Sequence, residues 1–219
     1  AFLLTLALQE TGKKKEPVQT MQQIDEPPKA MRFSAVIVLF SLINILQGAG
    51  VGLFFTPLSV FVVQGFSVSD ALVGLLYAVG FGLASTVVQL PGAKLANRYD
   101  RKRLMLVTFV VSAPFYGLFA LSSGLVELFL FMFLSNALLN LCWPAFQALM
   151  MELTPSAKWG LMNGIAGTTF WVGLMAGSAA SGILWDSFSM FVPFYMSAIV
   201  FFLAVVPALF LKETRSFKT

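Results

Sequence analysis

Long apolar segments alternate with short polar ones along the chain, and the charged residues gather in the polar segments. A helix needs about 20 apolar residues to cross the hydrocarbon core of a bilayer, and its backbone groups must be paired within the segment. Six segments satisfy both conditions. The pattern therefore predicts six transmembrane helices, at residues 33–64, 71–92, 104–122, 125–151, 161–185 and 190–211.

The positions of the basic residues support six crossings. When these segments are threaded through a membrane, all 14 Lys and Arg residues fall on one face, and the opposite face holds only Asp70, Glu127 and Asp186. Loops rich in Lys and Arg remain on the cytoplasmic side of a membrane. Five or seven crossings would scatter those loops over both faces, so we expect six helices with both chain ends in the cytoplasm.

Composition narrows the class of protein. The chain is 58% hydrophobic and 11% charged, whereas a soluble domain carries about 25% charged residues. We therefore expect a multi-pass protein, with the lipid bilayer as partner and the cell membrane as location. The net charge of +4 follows from loop topology, so no nucleic-acid partner is expected.

The sequence also argues against an enzyme. It contains no histidine and a single cysteine, Cys142, which is interpreted as a small buried hydrophobe. An intramembrane hydrolase needs paired acids at membrane depth or a Ser–His pair. Neither is present in the predicted helices, and we expect no metal and no cofactor.

The ends of the chain predict its domain organisation. Residues 1–8 are apolar but too short to span a bilayer, so they are interpreted as the cytoplasmic end of a preceding transmembrane helix. Residues 9–32 form a polar cytoplasmic linker, 33–211 the six-helix bundle and 212–219 a cytoplasmic tail. Residues 6–11 and 209–214 share the order apolar, apolar, apolar, polar, Glu, Thr. This short match favours two six-helix halves that end alike, with an N-terminal half of the same polypeptide as partner.

The segment 91–103, PGAKLANRYDRKR, resembles the cytoplasmic loop signature of the major facilitator superfamily, Gly-x-Leu-Ala-Asp-Arg-x-Gly-Arg-Arg/Lys. Five signature residues stand in the expected order: Leu95, Ala96, Arg98, Arg101 and Lys102. Ala93, Asn97 and Asp100 depart from it. Such departures are common in the second copy of the loop, so the resemblance implies an all-α six-helix transmembrane bundle that forms the C-terminal half of a major facilitator fold.

The resemblance also implies a role for this loop. In the family, its acid and its arginine hold helix ends together in one conformation. The resemblance thus implies a conformational switch at Asn97, Arg98, Asp100, Arg101 and Lys102. Since Asn97 cannot supply the acid, a topological anchor beside anionic lipid headgroups stays open as the alternative. Residues 155–160, PSAKWG, are similar to a loop of drug–proton antiporters in the same family.

Neutral polar side chains recur at helical spacing inside segments whose centres contain no charged residue. Asn44 and Gln47 share one face of the first segment, and a stripe at 136–147 has spacings of four, three and four. In the resembled family the first, second, fourth and fifth helices of each half line a central cavity. Hydrogen bonding between helices, worth about 0.6 kcal/mol per contact, is the alternative. The candidate cavity residues are Asn44, Gln47, Tyr77, Asn136, Asn140, Trp143, Gln147, Thr168 and Trp171.

Aromatic residues beside neutral amides suit an uncharged or amphipathic organic solute, whereas a small inorganic anion would require Lys or Arg. We therefore expect secondary active transport of a small organic solute, with efflux of lipophilic compounds as the first choice, by the C-terminal half of a twelve-helix carrier. Two alternatives stay open. One is a complete six-helix protein that acts as a homodimeric carrier, and the other is a non-transporting scaffold or receptor.

Overall fold

A computed structural model describes residues 32–212 of the chain. The predicted end of a preceding helix, nearly all of the linker and most of the tail lie outside the described residues. Within 32–212 the secondary structure is helical and contains no strand. The predicted all-α fold is confirmed, with one helix for each predicted segment: α1 Phe33–Phe66, α2 Asp70–Arg98, α3 Arg101–Leu121, α4 Leu125–Glu152, α5 Trp159–Ser187 and α6 Val192–Leu209.

Five of these helices, all except α5, are long and apolar enough to cross a membrane by length and composition. Helix α5 is also long, at 29 residues. Its six glycines and several Ser and Thr residues lower its hydropathy, because small side chains contribute little apolar surface. For α5, the length of the helix alone therefore indicates a sixth membrane crossing.

Helix α2 extends further than the hydrophobic pattern predicted. It continues to Arg98, so most of the predicted loop is its last two turns, and only Tyr99 and Asp100 separate it from α3. The Asp100 carboxylate caps α3 by accepting a hydrogen bond from the Arg103 backbone N–H at 2.9 Å. Hydropathy marks where a helix leaves the lipid, whereas the cap marks where the backbone turns.

Two helices depart from regular geometry next to the centre of the bundle. Helix α2 contains a six-residue π-helical turn at Ala78–Leu83. Helix α4 is interrupted at Cys142, two residues before Pro144, which has no N–H to donate. Interruptions of this kind are frequent at functional sites.

The helices bury two apolar clusters, one toward each end of the bundle. The cluster at the end where α1 finishes is rich in aromatic rings. At its centre the Phe54 ring meets the rings of Tyr116 and Phe119 at centroid distances of 4.9 and 5.0 Å. Since α3 and α6 contribute side chains such as these, they fix α1 from the side opposite to α5.

Helices α1 and α5 approach so closely that only glycine fits at the contact. A Cβ on Gly48 would overlap the Phe170 carbonyl and lie 2.9 Å from the Leu174 nitrogen, and one on Gly173 would overlap the backbone of α1. Gly52 and Gly177 are equally confined. Small residues allow this approach in lipid. By contrast, a Cβ would meet nothing within 4 Å at four other glycines of α5, Gly160, Gly164, Gly167 and Gly182.

Candidate functional site

A cavity of about 630 Å³ lies between α1, α2, α4 and α5. Among the described residues, α3 and α6 contribute nothing to its lining. Seven of the nine candidate cavity residues meet there: Asn44, Gln47, Tyr77, Asn136, Asn140, Trp143 and Gln147. The remaining wall is mostly apolar and aromatic, formed by Val51, Phe55, Phe81, Leu139, Cys142, Phe146, Asn163, Ala166, Gly167 and Phe170.

The two other candidates, Thr168 and Trp171, do not line this cavity. In the isolated chain both residues are exposed on the surface of α5, and Trp171 is 62% exposed. The residues of α5 that do line the cavity are Asn163, Ala166, Gly167 and Phe170. They share one face of the helix at spacings of three and four, but the many glycine and alanine residues of α5 give that face little contrast in hydropathy.

Three asparagine amides each use one N–H donor within their own helix. The Nδ2 group of Asn44 donates to the Phe40 carbonyl at 2.8 Å, and that of Asn136 donates to the Met132 carbonyl at 2.8 Å. Asn140 likewise donates to the Asn136 carbonyl at 2.9 Å. Each bond stays within one helix, so these donors do not tie the helices together.

Three aromatic residues of α1 and α2 form a wall at one end of the cavity. From Asn44 to Phe55, α1 rises about 16 Å, at 1.5 Å per residue. At the end where α1 finishes, Phe55 packs against Tyr77 and Phe81 with ring centroids 5.9 and 5.4 Å apart. The Tyr77 hydroxyl donates to the Phe55 carbonyl at 3.2 Å. The buried asparagines lie below this aromatic wall, and Trp143 lies nearer the opposite end.

The predicted switch residues lie where α2 turns into α3. Arg101 forms an ion pair with Glu152 at the end of α4, and its Nε donates to the Ala96 carbonyl at 3.4 Å. Asn97 and Arg98 are exposed on the last turn of α2, and the Arg98 guanidinium lies 5.9 Å from the Tyr99 ring centroid. Asp100 is the cap described above, and Lys102 is half-buried in the first turn of α3. The ion pair of Arg101 thus holds the turn against the end of α4. The role of the turn as a conformational switch stays a prediction.

Replacing Arg101 by glutamine is expected to lower the stability of the bundle by about 1–3 kcal/mol, because a charge-assisted contact between two helix ends is lost. The matched control is Lys94→Gln, which removes the same charge from an exposed position on α2 and should change stability by less than about 0.5 kcal/mol. Thermal unfolding in detergent measures both. Equal melting temperatures for the two variants would contradict the structural role of this ion pair.

Comparison with a family model shows the family to which the chain belongs. The family model described as Major Facilitator Superfamily matches residues 40–219. A curated relative, the "Tetracycline resistance protein, class H" of Pasteurella multocida, is 28% identical over 183 residues, which are 82% of this chain and 45% of that protein.

Two solved structures share the fold. They are an inward-facing, occupied form and an inward-facing, unoccupied form of a bacterial homologue of the human lysosomal transporter Spinster. Each has a TM-score of 0.62 at 17% identity; the alignments cover 84% and 85% of this chain, and 44% and 43% of the transporter. The chain therefore spans less than half the length of the relatives that it matches.

Proposed function

Because this chain belongs to the major facilitator superfamily, we propose that it performs secondary active transport of a small organic solute as the C-terminal half of a twelve-helix carrier. The chain is an integral, multi-pass membrane transporter and not an enzyme. The observation that carries the proposal is the cavity of about 630 Å³, which is lined by the same four helices that the family resemblance implies around a central cavity.

The lining of the cavity suits an uncharged or amphipathic solute. No Asp, Glu, Lys or Arg is among the described residues that line it, while amides and aromatic rings are abundant. The relative named for tetracycline resistance supports efflux of a lipophilic compound with polar edges. If transport is coupled to protons, we expect the titratable acid in the N-terminal half.

The expected partner is that N-terminal half, which would close the cavity from the side opposite to this bundle. The length of the relatives supports this partner, because the chain aligns with 45% of the resistance protein and 44% of the occupied transporter structure. We further propose that both chain ends face the cytoplasm and that the carrier resides in the cell membrane. The basic turn between α2 and α3 supports this orientation.

Transport by the full-length carrier tests the proposal directly. Inside-out proteoliposomes with an imposed pH gradient should accumulate labelled tetracycline or a lipophilic dye, and vesicles that contain only this 219-residue chain should accumulate far less. If no probe is accumulated by the full-length protein, the scaffold or receptor alternative is favoured. Equal uptake by the chain alone would favour the homodimeric carrier.

Replacing Gln147 by leucine is expected to reduce this uptake at least about fivefold, because the substitution removes a polar group that lines the cavity without changing the side-chain length greatly. The matched control is Gln89→Leu on α2, whose side chain is exposed outside the cavity lining. Initial uptake rates at equal protein content measure the effect. Equal rates for the two variants would argue against this cavity as the transport site.

A further inference from the structure

We propose that Ser181 of α5 is the hydrogen-bond donor for the backbone carbonyl of Leu53 on α1, and that this bond replaces the one that Pro57 removes from α1. Three observations lead to the inference: a proline inside α1, the register of the contact between α1 and α5, and an enclosed hydroxyl without a partner. The inference goes beyond the proposed function, because it concerns how one helix of the bundle is held in place.

Pro57 is a buried residue inside α1. Proline has no N–H, so the carbonyl of Leu53, four residues earlier, lacks the amide that would bond to it in a regular helix. Leu53 is 4% exposed. In membrane helices, the backbone groups that a proline frees are served by neighbouring helices, by Ser and Thr side chains or by ordered water. We therefore expect a donor beside Leu53 on the helix that packs there.

The close contact between α1 and α5 has a regular register. A Cβ on Gly173 would overlap the Ile45 carbonyl, and a Cβ on Gly177 would overlap the Ala49 carbonyl. A step of four residues on α5 thus matches a step of four residues on α1. Each step brings one position of α5 directly against a backbone carbonyl of α1.

Ser181 occupies the next position in this register. A further step of four residues leads from Gly177 to Ser181 on α5 and from Ala49 to Leu53 on α1. Ser181 is 1% exposed, and its Oγ is enclosed without a hydrogen-bond partner among residues 32–212. The proposed bond requires a rotation about χ1 between staggered positions. A donor without an acceptor therefore lies at the level where α1 has a carbonyl without its amide.

Two other hydroxyls close to Pro57 have partners of their own. The Thr56 hydroxyl donates to the Ser178 hydroxyl at 2.9 Å, and the Tyr77 hydroxyl donates to the Phe55 carbonyl at 3.2 Å. Both bonds join α1 to a neighbouring helix. Hydroxyl groups thus already connect this part of α1 to α2 and α5, and Ser181 adds a donor of the same kind.

The proposed bond has a consequence for the cavity. Phe55 lies between Leu53 and Pro57 on α1, and it is part of the aromatic wall at one end of the cavity. A proline weakens a helix at this point, since one backbone bond is missing. Ser181 is therefore a positioning residue, which acts on the cavity through the backbone that carries Phe55.

A double-mutant cycle on the full-length carrier tests the inference. Ser181→Ala removes the hydroxyl, and Pro57→Ala restores an N–H that can bond to Leu53 within α1. In the natural sequence, Ser181→Ala should lower the melting temperature in detergent by at least about 2 °C, because the carbonyl loses its donor. In the Pro57→Ala background the same substitution should leave the melting temperature unchanged or raise it, since the carbonyl is already served.

Ser197→Ala is the matched control. The Ser197 hydroxyl is also buried, and it donates from α6 to the Gly50 carbonyl of α1 at 2.8 Å. That bond does not depend on Pro57, so this variant should lower the melting temperature equally in both backgrounds. An unchanged or higher melting temperature for Ser181→Ala in the natural sequence overturns the inference, and so does an equal decrease in both backgrounds. If Pro57→Ala does not fold, the direction of the change in the natural sequence decides.

Uptake of labelled tetracycline provides a second readout, which rests on the proposed function. Ser181→Ala should reduce the initial rate at least about twofold in the natural sequence and leave it unchanged in the Pro57→Ala background. An unchanged rate in an active carrier overturns the role of Ser181 in positioning Phe55. Melting temperatures need no solute, so a carrier that accumulates no probe contradicts the proposed function and leaves the hydrogen bond to be decided by the cycle.

Discussion

Replacing Gly48 by alanine is expected to lower the melting temperature of the carrier strongly and to abolish its transport. The added methyl group would overlap the Phe170 carbonyl and lie 2.9 Å from the Leu174 nitrogen, and both atoms belong to the backbone of α5. Backbone atoms cannot change rotamer to make room, so α1 and α5 must separate. Overpacking of this kind costs about 1–3 kcal/mol, and occasionally more.

The matched control for this prediction is Gly164→Ala on α5. A Cβ at Gly164 meets nothing within 4 Å, and alanine favours a helix over glycine by about 0.8–1.0 kcal/mol. We therefore expect an unchanged or higher melting temperature in detergent and normal tetracycline uptake. Gly173→Ala, which places a methyl group against the backbone of α1, should behave like Gly48→Ala. Equal melting temperatures for all three variants would contradict the close backbone contact between α1 and α5.

Replacing Gly167 by phenylalanine is expected to reduce transport at least about tenfold while the fold is retained. Gly167 lines the cavity, and a Cβ there would meet nothing within 4 Å, so a phenyl ring can enter the open volume without displacing backbone. The ring would then occupy space that the solute needs. Uptake by proteoliposomes and thermal unfolding should be measured on the same preparation.

The control for the Gly167 variant is Gly65→Phe, near the end of α1, where a Cβ also meets nothing within 4 Å and the residue does not line the cavity. This variant should retain both uptake and melting temperature. If Gly167→Phe transports at the rate of the control, the solute path does not pass through the cavity between α1, α2, α4 and α5.

The helices could be predicted from hydrophobic length because lipid offers the backbone no hydrogen-bond partner. The first predicted segment, 33–64, corresponds to α1 at Phe33–Phe66, and the fourth, 125–151, corresponds to α4 at Leu125–Glu152. Hydropathy does not sense a helix that continues beyond the lipid, so α2 was predicted to end at residue 92 although its backbone is helical to Arg98.

The grouping of amides around the cavity follows from helical spacing. Asn44 and Gln47 are three residues apart, and Asn136 and Asn140 are four apart, so each pair shares a helix face. On α5 the prediction of Thr168 and Trp171 rested on their polar and aromatic side chains, whereas Gly167 and Phe170, one residue earlier at each position, line the cavity. One residue is about 100° of rotation in an α-helix, and a helix made largely of small residues gives no apolar stripe that would fix this angle.

Contacts between distant positions could not be predicted from one sequence. The ion pair of Arg101 and Glu152 joins residues that are far apart along the chain, and nothing local to either side chain indicates its partner. The glycines of α5 raised the same difficulty. Their small size predicted close packing somewhere, but only the arrangement of α1 beside α5 distinguishes Gly173, which is confined, from Gly164, which is open.

The π-helical turn at Ala78–Leu83 places the two ends of α2 out of phase. A turn of this kind contains one more residue than an α-helical turn, which offsets everything beyond it by about 100°. On one side of the offset, Tyr77 faces the cavity; on the other, Gly92 lies against the Leu141 carbonyl of α4, where a Cβ would not fit. A single helix therefore presents an aromatic ring to the cavity on one side of the π-helical turn and bare backbone to α4 on the other.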